Sequence, residues 1–359
     1  MSPVRTAVIG CGKIGQTHAM ALGALEESEF VAVCDAQLDR AESFGKQFGV
    51  RAYDSVTKML SCEEVEAVTI CTPHPLHAAP CLAAAQAGAH ILIEKPFASS
   101  LAACDAMLEA ADQHRVKLGV VSQRRLFEPV RRMKEAIDAG KIGAPVLGTF
   151  SMFSWRDQAY YQSDPWRGSW QGEGGGVLVN QSPHMLDMLQ WFMGDIDEVS
   201  GYWANLNHPY IEVEDTAVAT IRFKSGGLGN VIASLSQRPG IFTKVHVHGS
   251  NGASVGVQTD TGATFVAGMS GITQPPFNDI WTIPGEEHRL TEFQAADREH
   301  FQQIDATTYY HVLQIQDFLR AIREDRSPLV TGAEGRVVVE MFTAIYRSNE
   351  LGQPVRFPL

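Results

Sequence analysis

The stretch Val4-Arg5-Thr6-Ala7-Val8-Ile9-Gly10-Cys11-Gly12-Lys13-Ile14-Gly15 decides the fold. An apolar run of strand length ends at Gly-x-Gly-x-x-Gly, and a helical pattern follows over roughly residues 14–27. Glycines at this spacing permit a tight turn, and they let backbone N–H groups approach a pyrophosphate at the positive end of the helix. We therefore predict a dinucleotide site that includes Gly10, Gly12, Lys13, Ile14 and Gly15.

The second predicted strand, residues 30–34, ends at Asp35. An acidic residue about 20 positions past the last glycine accepts hydrogen bonds from the ribose hydroxyls of the adenosine. It also repels the 2′-phosphate of NADP. The sequence favours NAD, and NADP remains possible.

Strands and helices continue to alternate, with strands at 65–71, 89–94 and 116–122 and helices at 76–87 and 100–114. This order predicts a parallel doubly wound sheet over residues 1–123, with ligands at the carboxyl ends of its strands. The strand-end candidates for cofactor contact are Thr72, Pro73, His74, His77, Glu94 and Lys95, and Gln123 is the candidate for substrate contact. Lys95 precedes Pro96, which keeps it extended at the mouth of the predicted site. The alternative is an ordinary surface lysine.

A second informative stretch runs from Gly174-Gly175-Gly176 to Asp187. Three glycines lead into an apolar run that predicts a buried helix ending at Gly194. Asn180 and His184 are four residues apart, so on one helix their side chains share a face. A functional pair is one interpretation, and a satisfied core histidine is the other.

Composition excludes several classes of protein. The chain has 359 residues, which predicts two domains, and a formal net charge of -12, which argues against nucleic acid or an anionic membrane as partner. The charge-free stretch 67–93 is interrupted by prolines and histidines, so we do not expect a membrane span. A strand is predicted almost at the first residue, so we expect no signal peptide. Six scattered cysteines without a CxxC pair indicate buried thiols and a cytoplasmic location.

Beyond residue 123 the pattern changes. We predict a helix at 128–140, a strand at 146–153, antiparallel strands at 199–206, 216–223 and 228–237, and further strands at 243–249 and 253–257. Helices at 308–324 and 331–349 follow, the second with a capping box formed by Thr331 and Glu334. The stretch Gly268 to His300 is hard to interpret and suits a lid or an oligomer arm.

Histidines in this region raise the question of a metal. His246 and His248 share one face of a predicted strand, and His184 stands three residues before Asp187. Neither pair has a full ligand set at the usual spacing, so we predict no metal site.

Aromatic and basic residues precede the second informative stretch. Rings against C–H faces and cationic groups near hydroxyls suit sugar binding. We predict substrate contacts from Arg156, Tyr161, Trp166 and Arg167. The alternative for Trp166 is that it only anchors the loop.

Together, the glycine motif, Asp35, Cys71-Thr72-Pro73, Glu94-Lys95-Pro96 and the Gly174–Asp187 stretch resemble the glucose–fructose oxidoreductase / inositol dehydrogenase family, Gfo/Idh/MocA. The resemblance implies a Rossmann domain, 1–123, followed by an α+β domain, 124–359, with a large open, mostly antiparallel sheet. It implies that Lys95 and His184 are catalytic beside the nicotinamide, and that the Lys95-Pro96 peptide is cis. It further implies a homodimer or homotetramer formed through the open sheet faces, and a small sugar or polyol substrate.

One departure from the family pattern narrows the function. Inositol dehydrogenase-like members carry DxxxH where this chain has Asn180-x-x-x-His184, which resembles members that oxidise C3 of a pyranose. An amide cannot take a proton, so proton transfer moves to His184, with Lys95 polarising the same oxygen and Asn180 orienting the hydroxyl. The prediction is an NAD-dependent dehydrogenase of a sugar, glycoside or cyclitol. The alternatives are an NAD-dependent glycosidase acting by transient C3 oxidation and a non-catalytic nucleotide-sensing regulator.

Overall fold

The chain folds as two compact units in the computed structural model, which describes residues 2–259, 264–266, 269–271 and 274–359. The first unit contains the residues up to Gln123 together with Thr307–Val339, and the second contains Arg124–Ala306 and Glu340–Leu359. The sequence division assigned residues 307–339 to the C-terminal domain, whereas the structure groups them with the N-terminal one.

Residues up to 123 alternate strand and helix. The elements are β1 Val4–Ile9, α1 Lys13–Ala24, β2 Ser28–Cys34, α2 Leu38–Phe48, β3 Arg51–Tyr53, α3 Val56–Glu63, β4 Ala67–Ile70, α4 Ala78–Gln86, β5 His90–Ile93, α5 Leu101–Gln113 and β6 Leu118–Val120. All strand pairs are parallel, in the order β3-β2-β1-β4-β5-β6. The prediction of a doubly wound sheet is confirmed, and the strand order reverses between β1 and β4, where such sheets bind ligands.

Residues 124–306 form the elements α6 Glu128–Asp138, β7 Pro145–Phe153, α7 Gln158–Gln162, α8 Trp170–Glu173, α9 Pro183–Met193, β8 Ile196–Ala204, β9 Thr216–Phe223, β10 Leu228–Ser234, β11 Phe242–Gly249, β12 Ser254–Gln258, β13 Thr264–Val266, β14 Met269–Gly271, β15 Phe277–Trp281 and α10 Arg289–Gln303. The chain ends with α11 Tyr309–Arg323, α12 Gly332–Leu351 and β16 Val355–Arg356. A sheet of eight strands has the order β15-β12-β11-β7-β10-β9-β8-β16, and β13 pairs with β14. Among the strand pairs that the structure describes in the large sheet, only β7–β10 is parallel, so the predicted mostly antiparallel sheet is confirmed.

The two faces of the large sheet differ. On one face α9 packs against β7, and Gly148 leaves room there for Leu189 and Met193. The other face exposes apolar side chains on adjacent strands, among them Tyr202, Val218 and Leu228.

The helix α11 belongs to the core of the first unit, where Ile315, Phe318 and Leu319 pack in one cluster with Val8 and Leu92. At the start of α12 the predicted capping box is present: the Glu334 backbone N–H donates to Thr331 Oγ1 at 3.3 Å, and the Thr331 N–H donates to Glu334 Oε2 at 2.9 Å. No helix in the described part of the chain has the length and the apolar composition needed to cross a membrane.

Residues 268, 272 and 273 of the stretch Gly268 to His300 lie outside the described residues. The rest of that stretch contributes β14, β15 and α10, so much of it is regular structure. Whether it serves as a lid or an oligomer arm stays a prediction.

Candidate active site

The glycine turn after β1 has the geometry that a dinucleotide requires. Gly10 has φ +101°, and a Cβ there would lie 2.7 Å from Cys71 C and Thr72 N. A Cβ on Gly15 would lie 2.0 Å from Gly10 O, so this glycine allows α1 to pack on the turn. A Cβ on Gly12 would meet no atom of the described chain within 4 Å. The first and third glycines are therefore required by packing, and the second leaves backbone open to a ligand.

Residues around this turn complete the candidate cofactor site. Lys13, exposed, and Ile14, half-buried, begin α1. Asp35 follows β2, and its two carboxylate oxygens accept the backbone N–H groups of Cys11 and Gln37, each at 2.9 Å. These bonds hold the carboxylate beside the glycine turn, where it suits a ribose hydroxyl and opposes a 2′-phosphate.

The predicted cofactor-binding residues after β4 differ in burial and in their hydrogen-bond partners. The Thr72 hydroxyl is buried without a hydrogen-bond partner among the described residues. Pro73 is half-buried, and His74 is buried in the 3₁₀ turn His74–Leu76. His77 is buried with Nδ1 3.2 Å from Phe97 O and Nε2 2.9 Å from Thr72 O, and burial lowers its pKa. Because both ring nitrogens face carbonyl oxygens, His77 is placed to support the loop.

Lys95 follows a buried carboxylate at the end of β5. Its N–H donates to Glu94 Oε2 at 3.1 Å, and the Lys95-Pro96 peptide is cis, as the resemblance implied. Glu94 Oε1 lies 2.9 Å from His18 Nε2 and 3.8 Å from His311 Nε2. Burial raises the pKa of Glu94, but the hydrogen bond and charge of His18 outweigh it, with smaller contributions from His311 and Lys95, and bring the pKa to about 2.

The two histidines of this cluster differ in charge. Burial lowers the pKa of His18, yet Cys71 and Glu94 together raise it to about 10. Burial lowers the pKa of His311 to about 4. His18, Glu94 and His311 also form a group whose ligand atoms lie within 4.8 Å of one another, which could hold an ion. The sequence analysis missed it because no local spacing connects these positions, and the His18–Glu94 hydrogen bond accounts for the arrangement.

Gln123 is the last residue of the N-terminal part of the first unit and begins the 3₁₀ turn Gln123–Leu126. Its Oε1 is buried without a hydrogen-bond partner among the described residues.

In the second unit, the predicted buried helix ending at Gly194 is present as α9, but it does not run unbroken from the three glycines, so that part of the prediction is wrong. Val177–Gln181 forms a π-helical turn, closed by the Ser182 N–H donating to Val177 O at 3.0 Å, and α9 begins at Pro183. Proline has no N–H and cannot lie in the interior of a regular helix, which explains the change. Asn180 therefore lies in the π turn and His184, buried, in the first turn of α9. Single π turns occur often at functional sites.

The Asn180 amide is held by residues that the sequence analysis did not select. Its Nδ2 donates to Glu173 Oε1 and to Tyr160 Oη, the latter at 3.1 Å. Tyr160 Oη also accepts from Gln181 Nε2 at 2.7 Å and from Arg167. Burial raises the pKa of Tyr160 to about 12. The sequence signal for Glu173 was its position directly before the three glycines.

The predicted substrate-binding residues before the glycines have different surroundings. Arg167 contacts Tyr160, as described above, lies 4.4 Å from the Trp166 ring centroid and pairs with Asp164. Arg156 is buried and donates from Nη1 to Trp155 O at 2.8 Å. Tyr161 is buried and its hydroxyl has no hydrogen-bond partner among the described residues, so Tyr160 and not Tyr161 contacts Asn180.

A buried carboxyl holds the π turn in place. Glu214 accepts the N–H groups of Gly176 at 2.8 Å and Leu178 at 2.9 Å and the Tyr346 hydroxyl at 2.8 Å. Burial raises the pKa of Glu214 to about 7, although these hydrogen bonds lower it. A Cβ on Gly176 would lie 1.9 Å from Glu214 O, so only glycine fits.

The histidine pairs weighed as metal ligands have other partners. Arg125 Nε and Nη2 donate to the two oxygens of Asp187 at 2.8 and 2.6 Å, so this carboxylate is in a buried bidentate ion pair. His246 Nε2 lies 3.0 Å from Asp279, and His248 Nδ1 lies 2.8 Å from Ser254 Oγ.

Comparison with known proteins decides the family. Residues 4–122 match the model of the oxidoreductase family with an NAD-binding Rossmann fold, and residues 130–255 match the GFO/IDH/MocA C-terminal domain. A myo-inositol 2-dehydrogenase of Thermotoga maritima is 32% identical over 255 residues, which are 69% of this chain and 74% of that protein. The chain belongs to the Gfo/Idh/MocA family.

Two further relatives match this Gfo/Idh/MocA protein over almost the full length of its chain. A D-glucoside 3-dehydrogenase of Escherichia coli is 22% identical over 99% of this chain and 97% of its own. The crystal structure of the WlbA dehydrogenase from Bordetella pertussis in complex with NADH and UDP-GlcNAcA is 28% identical, covers 99% of each chain and superposes with a TM-score of 0.82.

Family membership and the glycine turn together define the class of enzyme. The Gfo/Idh/MocA chain is an NAD-dependent oxidoreductase whose relatives are sugar and cyclitol dehydrogenases. The turn fits the cofactor because Gly12 leaves its backbone open and Asp35 is held beside it.

Proposed function

We propose that this enzyme oxidises a secondary alcohol of a sugar, glycoside or cyclitol, with C3 of a pyranose favoured. The observation that carries the proposal is the polar start of α9. His184 lies in the first turn of this helix, which otherwise buries mostly apolar side chains, and Asn180 lies in the π turn directly before it, which is held by Glu214.

Each residue has a role that its chemistry allows. When bound, NAD supplies the hydride acceptor. His184 takes the hydroxyl proton, since an imidazole has an unperturbed pKa near neutrality. The Lys95 ammonium donates to the same oxygen and stabilises the developing alkoxide. Asn180 orients the hydroxyl as a hydrogen-bonding partner, because an amide cannot act as a base.

The remaining site residues extend this proposal. We assign NAD contacts to the glycine turn, Asp35, the Thr72–His74 segment and Glu94, with His77 supporting that segment. We assign substrate contacts to Gln123, Arg156, Tyr161, Trp166 and Arg167. The buried, unpartnered oxygens of Gln123 and Tyr161 support this assignment, since buried polar atoms without partners are rare and a ligand can satisfy them.

The choice of C3 is supported by Asn180 and by the glucoside 3-dehydrogenase relative, while the Thermotoga maritima relative is named for position 2. A panel of monosaccharides, glycosides, inositols and nucleotide sugars, followed by NADH absorbance, identifies the substrate. NMR of the product then locates the new carbonyl, and a carbonyl at any other carbon contradicts the C3 assignment.

Substitution tests the two catalytic residues. Lys95→Ala and His184→Ala are each expected to lower kcat by about 10²–10⁴. The controls are Lys46→Ala and His114→Ala, which alter exposed residues of the same types on α2 and at the end of α5. Full turnover by either catalytic variant would refute the mechanism. Net hydrolysis without accumulation of NADH would instead identify the glycosidase alternative.

We also propose a homo-oligomer formed through the exposed face of the large sheet. Tyr202 is 69% exposed, and Val218 and Leu228 on the neighbouring strands are exposed with it. Apolar side chains grouped in this way mark protein interfaces. Light scattering on the eluted protein measures its mass, and Tyr202→Asp should lower the mass of the oligomer. A monomer, or an oligomer whose mass Tyr202→Asp leaves unchanged, contradicts the proposal.

The proposed location is the cytoplasm. All six cysteines are free thiols, and five of them are buried. Free thiols persist in a reducing compartment. Recovery of the chain from an extracytoplasmic fraction would contradict this.

A further inference from the structure

Asn180 uses both hydrogens of its amide inside the protein. Nδ2 donates to Tyr160 Oη and to Glu173 Oε1. As an ionised carboxylate, Glu173 would only accept hydrogen bonds and would hold the amide nitrogen of Asn180 toward itself. Any contact between Asn180 and a substrate is therefore made by Oδ1, as an acceptor.

Glu173 is built into the fold at this place. Glu173 is the last residue of α8 and is 1% exposed. Oε2 accepts the Gly168 N–H at 2.6 Å, which leaves Oε1 for Asn180. Each oxygen of the carboxylate thus has its own donor.

We propose that Glu173 is a positioning residue that makes Asn180 a hydrogen-bond acceptor toward the substrate and excludes aspartate from position 180. The proposal rests on the proposed function, in which Asn180 contacts the reacting sugar. Two carboxylates at hydrogen-bond distance cannot both be ionised, so one would keep a proton at neutral pH. Asparagine supplies an acceptor oxygen of the same shape without a second charge. The chain therefore keeps a carboxylate in this site, at position 173 and not at position 180.

Several charged and titratable groups lie near the Asn180–Glu173 pair and bear on how the pair responds to pH. Tyr160, Tyr161 and Tyr346 interact electrostatically with Glu173, and burial raises the pKa of each above its usual value. Arg156 and Arg167 lie over the Tyr160 ring. Glu214, which holds the π turn and whose pKa burial raises to about 7, and the proposed base His184 can both change charge between pH 5.5 and 8, so each variant is compared with the unsubstituted enzyme at the same pH.

A charge exchange between the two positions tests the proposal. In Asn180→Asp the two carboxylates compete for one proton, which is held at pH 5.5 and lost as the pH rises to 8. Relative to the unsubstituted enzyme at the same pH, we therefore expect kcat/KM to fall by about 100-fold or more at pH 8 and by about tenfold less than that at pH 5.5. In the double variant Asn180→Asp/Glu173→Gln, the new glutamine can accept the Gly168 N–H with its oxygen and donate to the introduced aspartate with its nitrogen. We expect this variant to recover most of the loss at pH 8 and to lose the added pH dependence.

Glu173→Gln alone provides the matched control. Two amide nitrogens would then face each other, so Asn180 turns its Oδ1 toward residue 173 and its nitrogen toward the substrate. We expect the KM for the sugar to rise about tenfold, because the substrate loses the hydrogen bond that it donates to Asn180 Oδ1. The KM for NAD should be unchanged.

Thermal unfolding at the same two pH values measures the pairing without a substrate. Asn180→Asp should melt at a lower temperature at pH 8 than at pH 5.5, relative to the unsubstituted enzyme, and the double variant should not. A double variant that is no better than Asn180→Asp at pH 8 in both measurements overturns the proposal. If the unsubstituted enzyme oxidises no sugar or cyclitol, the proposed function and the acceptor role fail, and the melting temperatures still decide whether Glu173 excludes aspartate.

Discussion

The buried ion pair of Arg125 and Asp187 fixes the helix that carries His184, and its removal should cost far more than an exposed pair would. The side chains are 1% and 4% exposed, and two charge-assisted hydrogen bonds of 2.8 and 2.6 Å join them. The Arg125 guanidinium also lies 4.8 Å from the Trp191 ring centroid. Removing one partner leaves an uncompensated buried charge, which destabilises a protein by about 3–5 kcal/mol.

We expect Asp187→Asn and Arg125→Met each to lose about 3–5 kcal/mol of unfolding free energy. For a unit of about 200 residues this corresponds to a fall in Tm of roughly 6–20 °C. Replacing both partners with apolar residues, as in Arg125→Met/Asp187→Leu, removes the buried charge and should recover much of the loss. Urea unfolding and calorimetry measure the cycle. Single variants that lose under about 1 kcal/mol, or a double variant less stable than both, would refute the reasoning.

Two further predictions concern carboxylates of the first unit. The folded-state pKa of Glu94 is depressed from 4.5 to about 2, so its stabilisation is present above pH 4.5 and is lost as pH falls toward 2. Glu94→Gln should lack this acid-dependent loss, about 2 kcal/mol by pH 3, in melting curves taken from pH 7 to 3, and an identical pH profile would contradict the assignment. Asp35→Asn keeps an acceptor for the Cys11 or Gln37 N–H but removes the charge, so the ratio of kcat/KM for NADP to that for NAD should rise at least about tenfold, equivalent to ~1.4 kcal/mol. An unchanged ratio would show that Asp35 does not select the cofactor.

Local patterns in the sequence were sufficient for most of the first unit. The run from Val4 to Gly15 places apolar residues, glycines and a helix start in consecutive positions, and each step depends only on neighbours in the chain. The parallel order of the strands follows from alternation of strand and helix. By contrast, β3 has only three residues and gave no pattern, and α2 was missed although Ala41, Phe44 and Phe48 recur on one face at helical spacing.

The helix carrying His184 shows where a local pattern misleads. Its apolar run predicted one helix from the glycines onward, but Pro183 cannot lie inside that helix, and the chain forms a π turn before it. The break also depends on Glu214, which lies 36 residues beyond Leu178 and accepts its N–H. Periodicity cannot report a hydrogen bond over that separation.

The sequence by itself determined that the chain has a dinucleotide turn, an acidic residue after the second strand, and an asparagine and a histidine four positions apart. These features are read from spacing, because the residues that create them are adjacent or one turn apart. Only the tertiary structure decided which groups surround them: His18 and His311 on Glu94, Arg125 on Asp187, and Tyr160 and Glu173 on Asn180. The charge and orientation of a buried side chain depend on partners that folding brings together from distant or unpatterned positions, and those partners leave no periodic mark in the sequence.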